Sequence, residues 1–283
     1  MRRRILIIDP ACGAAGDMFL GALTDLGADF EAVCRVLATL PAGGFHLQRE
    51  KVLRGGVAAT KVHVHLDALG GGEEGPHGEV IPADAQHHGG AHFHGAHGRH
   101  QHHGHHGNDG PVRGLAEIRS IIQTSALPPA AKSLALHAFQ LLGEAEALAH
   151  NVPVEDVHFH EVGATDAIVD ICGTALLVTE LGVAAVYSRP VATGSGRVRC
   201  AHGDIAVPAP ATRHLLGDFP TRPAPVEREL LTPTGAALLR ALNPTLIIPA
   251  HRVVAEGFGA GTMDFATCAN VLRLQIAEIE AAP

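Results

Sequence analysis

The chain has 283 residues and a mass of 29.4 kDa, and its 46 % hydrophobic content with mean hydropathy +0.16 excludes wholesale disorder. Lys and Arg number 21 against 29 Asp and Glu, a net charge of −8 that excludes a protein built to coat nucleic acid. Twenty-one histidines would carry that charge from −8 to +13 if all were protonated, so the surface answers to pH and to metals.

Met1 and three arginines precede Ile5–Ile8, an apolar run expected of a strand buried on both faces and, ending at Asp9, too short for a signal peptide. Small residues from Asp9 to Gly16 make a loop, and Asp17 opens a helix running to Gly27. A second helix spans about Asp29 to Leu40. Strands are expected near Phe45–Leu53 and Thr60–Leu66, turned by Gly55-Gly56. From about 70 to 111 the composition breaks: eleven histidines and many glycines stand among almost no large apolar residues, the signature of a disordered insertion. Helices are expected at Val112–Gln123, from Pro128-Pro129 to about His150, at Ala164–Leu181 and at Pro208–Gly217. Val183–Thr193 reads as a strand, Thr232-Pro-Thr-Gly as a capped helix start, and Leu246–Val254 and Asn270–Ile279 as closing strands. The expected architecture is α/β, a layered sheet with packed helices. Residues 1–69 and 112–283 make one main domain, and 70–111 the insertion.

The most apolar long window, Ala167–Val186, still contains Asp170, Thr174, Thr179 and Glu180, so it reads as a buried helix and not a membrane span. Cys12, Cys34, Cys172, Cys200 and Cys268 are odd in number and form no C-x-x-C pair, which fits reduced thiols in a cytoplasmic protein.

Three groups of residues offer chemistry. The insertion presents many imidazoles on a glycine-rich tether, suited to gathering nickel, copper or zinc but with nothing to fix a catalytic geometry. In the segment Val157 to Asp166, His158 and His160 point to one side of an extended stretch while Val157 and Phe159 face the core. Asp166 and Asp170 are one helical turn apart, and with Glu161 they make a candidate divalent-cation site. Alternatively, His160 and Glu161 only order the turn. The third group is the loop Asp9–Asp17, where Asp17 is either a ligand or a helix cap and Cys12 is a candidate soft ligand with a lowered pKa. Gly194-Ser195-Gly196 and Thr232-Pro-Thr234 offer amides and hydroxyls to an anion, a composition that ordinary turns and caps share. Gly257–Gly261 reads as a glycine-rich loop.

Several stretches together resemble the LarC family of nickel-insertion proteins: Gly16-Asp-Met-Phe-Leu-Gly-Ala-Leu23, His160-Glu-Val-Gly-Ala164 through Asp170, Gly194-Ser-Gly196, Ala201-His202-Gly203, Val207–Thr212, Leu231–Ala237 and Asn270-Val-Leu-Arg273. The resemblance implies nickel (Ni2+) insertion into pyridinium-3,5-bisthiocarboxylic acid mononucleotide, giving the nickel-pincer nucleotide. It implies CTP hydrolysis with Mg2+ or Mn2+. His160, Glu161 and Asp166 are then the catalytic candidates. The metal candidates are His158, His160, Glu161, Asp166, Asp170, Asp17 and His202, and the cofactor-binding candidates are Gly194, Ser195, Gly196, Thr232 and Thr234. Members usually continue into a C-terminal domain to which CTP binding is assigned. Expected partners are therefore the mononucleotide, a chain carrying that domain, an apo acceptor resembling lactate racemase and a second copy of the chain. Nucleic acid and membrane are not among them. Two departures are Cys12, where the family usually has a hydroxyl residue, and Cys268-Ala269, where proline is common. Rival readings are a nickel storage or delivery protein and a metal-dependent phosphohydrolase.

Overall fold

The four residues Ile5–Ile8 are wholly shielded from water and form the middle of a strand around which the rest is layered. The computed structural model describes residues 2–67, 112–159, 162–200 and 203–280, so the expected insertion at 70–111, His160, Glu161 and His202 lie outside the described residues. In chain order the elements are β1 (Arg2–Asp9), α1 (Gly16–Asp25), α2 (Phe30–Leu37), β2 (Phe45–Arg54), β3 (Val57–Leu66), β4 (Arg113–Gly114), α3 (Leu115–Thr124) and α4 (Pro129–His150). They continue with β5 (His158–Phe159), α5 (Thr165–Glu180), β6 (Val186–Ser188), β7 (Val191–Ala192), β8 (Arg197–Cys200), β9 (Gly203–Ala206), α6 (Pro210–Leu216) and β10 (Thr221–Arg222). α7 (Pro233–Ala241), β11 (Arg252–Ala260) and β12 (Val271–Glu280) complete them.

The main sheet has six strands in the order β2-β3-β11-β12-β1-β6. β12 runs antiparallel to both β1 and β11, and β1 runs parallel to β6. The expected mixed α/β architecture is what is found. Alternation along β1 explains the layering: Leu6 and Ile8 enter the large helix-covered core, while Ile5 and Ile7 pack on the opposite face with Ala277, Tyr187 and Ile248. No helix among the described residues is long and apolar enough to cross a membrane.

Two expectations are corrected. The strand expected at Leu246–Val254 instead spans Arg252–Ala260, and Ile247 is 85 % exposed. Gly257–Gly261 is accordingly not a loop: Gly257 and Gly259 lie inside β11. The reason is close packing. A Cβ on Gly259 would lie 1.8 Å from the Met18 carbonyl oxygen, and one on Gly257 would lie 2.3 Å from that of Ala22, so α1 rests directly on the bare strand. Asp25, at the last turn of α1, fastens the contact by accepting from the Thr60 hydroxyl, the Lys51 ammonium and, at 3.0 Å, the Phe258 N–H.

One junction ties three parts of the chain. The Asp67 N–H donates to the Gly44 carbonyl at 3.0 Å, just past β3. Two residues earlier, the Ala42 carbonyl accepts from the Arg113 guanidinium and from the Thr165 hydroxyl, each at 2.7 Å. Arg113, only 5 % exposed, also holds the Gly163 carbonyl at 2.7 Å, and so sets the turn that leads into α5.

Candidate functional site

The site lies at the carboxyl end of β1, where an open α/β sheet presents its connecting loops. The loop after Asp9 is pinned on two sides. Ala14 N–H donates to the Leu230 carbonyl at 3.0 Å, and the Ala14 carbonyl accepts from Thr232 at 3.1 Å. Gly13 has φ +85° and its missing Cβ would sit 2.0 Å from the Leu230 oxygen, so only glycine fits there. Thr193 in turn accepts from the N–H groups of Leu230 and Leu231 at 3.3 Å. Thr232–Thr234 therefore lie beside the start of α1, and Gly194–Gly196 run along residues 227–230 just before them. Their hydroxyls have protein partners: Thr232 accepts from the Gly235 N–H at 3.2 Å as the cap of α7, and Ser195 donates to the Val226 carbonyl at 3.4 Å.

α1 begins without a side-chain cap, its N-cap position being Ala15. Asp170 of α5 lies against that first turn, since a Cβ on Gly16 would meet its carboxylate at 2.9 Å. A carboxylate against an uncapped helix start is favoured by the exposed N–H groups and their dipole. Asp17 and Asp166 complete an acidic group, and Lys61 of β3, its side chain 5 % exposed, donates to Asp17 and, at 2.9 Å, to the Thr262 hydroxyl. Burial pushes the Asp166 carboxyl up, with the charge of Asp17 adding, against the partial relief of the Ala167 N–H. Asp170 is pushed well above the ordinary carboxylate range by burial and then by Asp17 and Asp166, with Lys61 acting the other way. Its Oδ1 is buried without a hydrogen-bond partner. Asp17 and Asp170 thus share the Lys61 ammonium, with Asp166 close enough for its charge to act on Asp170.

The structure brings together Asp17, Asp166 and Asp170 from the expected set. His158 stands exposed on β5 opposite Gly114, with Val157 and Phe159 buried on either side, as strand alternation requires. Among the described residues no three His, Cys, Asp or Glu side chains are placed to hold a metal ion between them. Lys61 escaped the sequence reading because Lys-Val-His-Val-His looks like a solvated strand face. Three more histidines were passed over: His46, His63 and His65 stack along β2 and β3 with ring centroids 5.0 and 5.8 Å apart.

At the end of β1 lies a groove of about 570 Å³, lined in part by Asp9, Cys12, Arg222, Phe258, Cys268 and Arg273. Asp9 is ion-paired with Arg273, and Arg189 stands 3.7 Å away. The expectation of an acidified Cys12 is corrected. Burial, and then contact with the Cys268 thiol, push it up to about 12, and Arg222 offsets this only in part. The start of α1 is too far along the chain to reverse that, because Gly16 and not Cys12 opens the helix.

The chain is similar to known proteins over nearly all its length. The family model described as nickel insertion protein matches residues 6–282. A protein of Desulfitobacterium hafniense is 40 % identical over 276 residues, covering 96 % of this chain and 58 % of its own length. One of Geobacillus kaustophilus is 37 % identical over 277 residues (97 % and 60 %), and one of Akkermansia muciniphila 39 % over 279 residues (98 % and 61 %). All three are named pyridinium-3,5-bisthiocarboxylic acid mononucleotide nickel insertion protein. The chain spans about three-fifths of the length of these relatives. No solved structure matches it. With a family match running nearly end to end, this chain belongs to the nickel insertion protein family.

Proposed function

We propose that this chain carries the nickel-insertion step itself, as a chelatase of the lyase class acting on pyridinium-3,5-bisthiocarboxylic acid mononucleotide. The observation that supports the reading is the meeting of Asp17, Asp166 and Asp170, with Lys61 paired to Asp17, next to the helix start at Thr232. His158, His160, Glu161 and His202 supply the imidazole and carboxylate donors that nickel prefers over oxygen alone. Gly194, Ser195, Gly196, Thr232 and Thr234 receive the phosphate of the mononucleotide.

The reaction is CTP-dependent and uses Mg2+ or Mn2+. The orphaned Asp170 oxygen suits such a hard cation, and Asp17, Asp166 and Asp170, which are not placed to enclose an ion by themselves, would share it with the phosphates of the nucleotide. Bound there, the cation supplies positive charge to the phosphates of the nucleotide. The CTP-binding part resides in a C-terminal domain, present either in a longer form of the chain or as a separate partner. Residues 1–69 and 112–283 act as one α/β domain, interrupted at 70–111 by a histidine-rich tether that gathers nickel. The loaded cofactor passes to an acceptor resembling apo lactate racemase. The setting is cytoplasmic.

The test is nickel insertion into the purified mononucleotide, with CTP and Mg2+, by this chain alone and with a C-terminal-domain chain added. Product in either case, lost in His160→Ala and Asp166→Ala while bulk nickel binding persists, bears the reading out. Absence of product in both refutes it in favour of nickel storage or delivery.

A further inference from the structure

The groove at the end of β1 holds a feature for which the insertion chemistry described above has no use. Cys12 reaches it from the loop after β1 and Cys268 from the loop before β12, and the two thiols meet within hydrogen-bonding reach, with no disulfide between them. Both loops are held in place. Cys12 packs with Ala192 and Leu230, and Cys268 lies against that cluster. The loop carrying Cys268 is closed by the Gly261 N–H donating to the Asn270 carbonyl at 2.9 Å and by the Asn270 side chain donating to the Met263 carbonyl at 2.8 Å.

The groove also has a sign. Arg273 is matched by Asp9 and, at 3.6 Å, by Glu256. Arg222 lines the same groove close enough to act on the Cys12 thiol, and no carboxylate pairs with it among the described residues. An exposed, unmatched guanidinium in a concave site attracts carboxylate or phosphate. The volume, about 570 Å³, falls within the range of roughly 300–1,000 Å³ that small-molecule sites occupy.

We propose that Cys12 and Cys268 form a two-thiolate docking site for the nickel ion, and that Arg222 draws the anionic substrate into the same groove. This rests on the nickel-insertion reading. Thiolate suits nickel far better than it suits Mg2+ or Mn2+, so the groove and the acidic group divide the two kinds of cation between them. Both ligands are thiols, so the ion must displace protons. One Ni2+ and two thiols give a nickel dithiolate and two protons, and no electrons move. Two protein ligands leave the remaining positions open to substrate. As each sulfur of the bisthiocarboxylate replaces a cysteine sulfur, that cysteine takes back a proton.

The experiment is a titration of the full chain with NiCl2, in the presence of a phosphine reductant, followed by near-ultraviolet thiolate-to-nickel charge-transfer absorption. Imidazole and carboxylate give no such band, so nickel held by histidines is silent. The expected result is a band saturating at one nickel per chain, lost in Cys12→Ser and in Cys268→Ser and retained in Cys34→Ser. Should Cys12→Ser melt early, Cys268→Ala, on a partly exposed loop, decides alone. No band in the wild type, or a band that survives both substitutions, overturns the proposal, as does a Cys12–Cys268 disulfide whose reduction yields no band. Insertion at the wild-type rate by Cys268→Ala overturns the docking role and leaves the insertion reading standing. A normal band with no insertion by the wild type does the reverse.

Discussion

Lys61 is the residue whose loss the structure makes most legible. Lys61→Met keeps most of the aliphatic stem and removes the ammonium that pairs with Asp17 and acts on Asp170. Removing one partner of a sealed ion pair costs about 3–5 kcal/mol, because a buried charge is left uncompensated. Asp17 keeps 23 % of its side chain exposed, so water recovers part of that, and the expected loss at neutral pH is about 2–3 kcal/mol. In a domain of this size that lowers the melting temperature by roughly 4–12 °C. The assay is reversible denaturant unfolding of wild type and variant in EDTA, repeated with excess Mg2+. Without Lys61 the Asp170 carboxyl rises further, so the penalty shrinks as pH falls and protonation removes unmatched charge. Added Mg2+ should restore more stability to the variant than it adds to the wild type. A loss below about 0.5 kcal/mol, the scale of an exposed pair, would refute the reasoning.

Gly259→Ala places a methyl group 1.8 Å from the Met18 carbonyl, so α1 must lift off β11, at a cost of about 1–3 kcal/mol or more measured by the same unfolding curves. A variant as stable as wild type would mean that α1 does not rest on that strand. Asp170→Asn bears on pH. The raised Asp170 carboxyl holds a proton in the folded chain that the unfolded chain, with its ordinary value of 3.8, has released. Its contribution is full below 3.8 and is lost as pH rises through the raised value. The wild type should therefore lose stability relative to the metal-free Asn variant as pH climbs from 3.8 towards neutrality, and a pH-independent difference would sink the assignment.

What could be read in advance was whatever depends on local pattern. Ile5–Ile8 announced β1, Pro128-Pro129 announced α4, and the spacing of Asp166 and Asp170 put two carboxylates on one face of α5. The failures all depend on long-range contact. Glycines at 257 and 259 look like a loop until α1 is known to lie across them. Lys61 gives no sign that it points inward to meet a residue on α1. Asp25, held below the ordinary range because its bonds to Lys51, Thr60 and Phe258 outweigh burial, passes for a solvated helix residue. Cys12 and Cys268, with more than 250 residues between them, carry no spacing signal at all.

The junction at Ala42–Gly44 has a topological consequence. Asp67 and Arg113, the last residue described before the histidine-rich stretch and nearly the first after it, are both fastened there, within two positions of each other. The two described ends that flank the stretch are therefore held together at a single neck. Closing a chain between two fixed points costs an amount that grows only with the logarithm of its length, about 0.6 kcal/mol per doubling. Evolution can lengthen, shorten or rewrite such a stretch with little effect on the sheet. The same neck touches Thr165, the residue before Asp166, so the two points of the described chain that flank the stretch are fixed at the entrance to α5, which carries Asp166 and Asp170 of the acidic group.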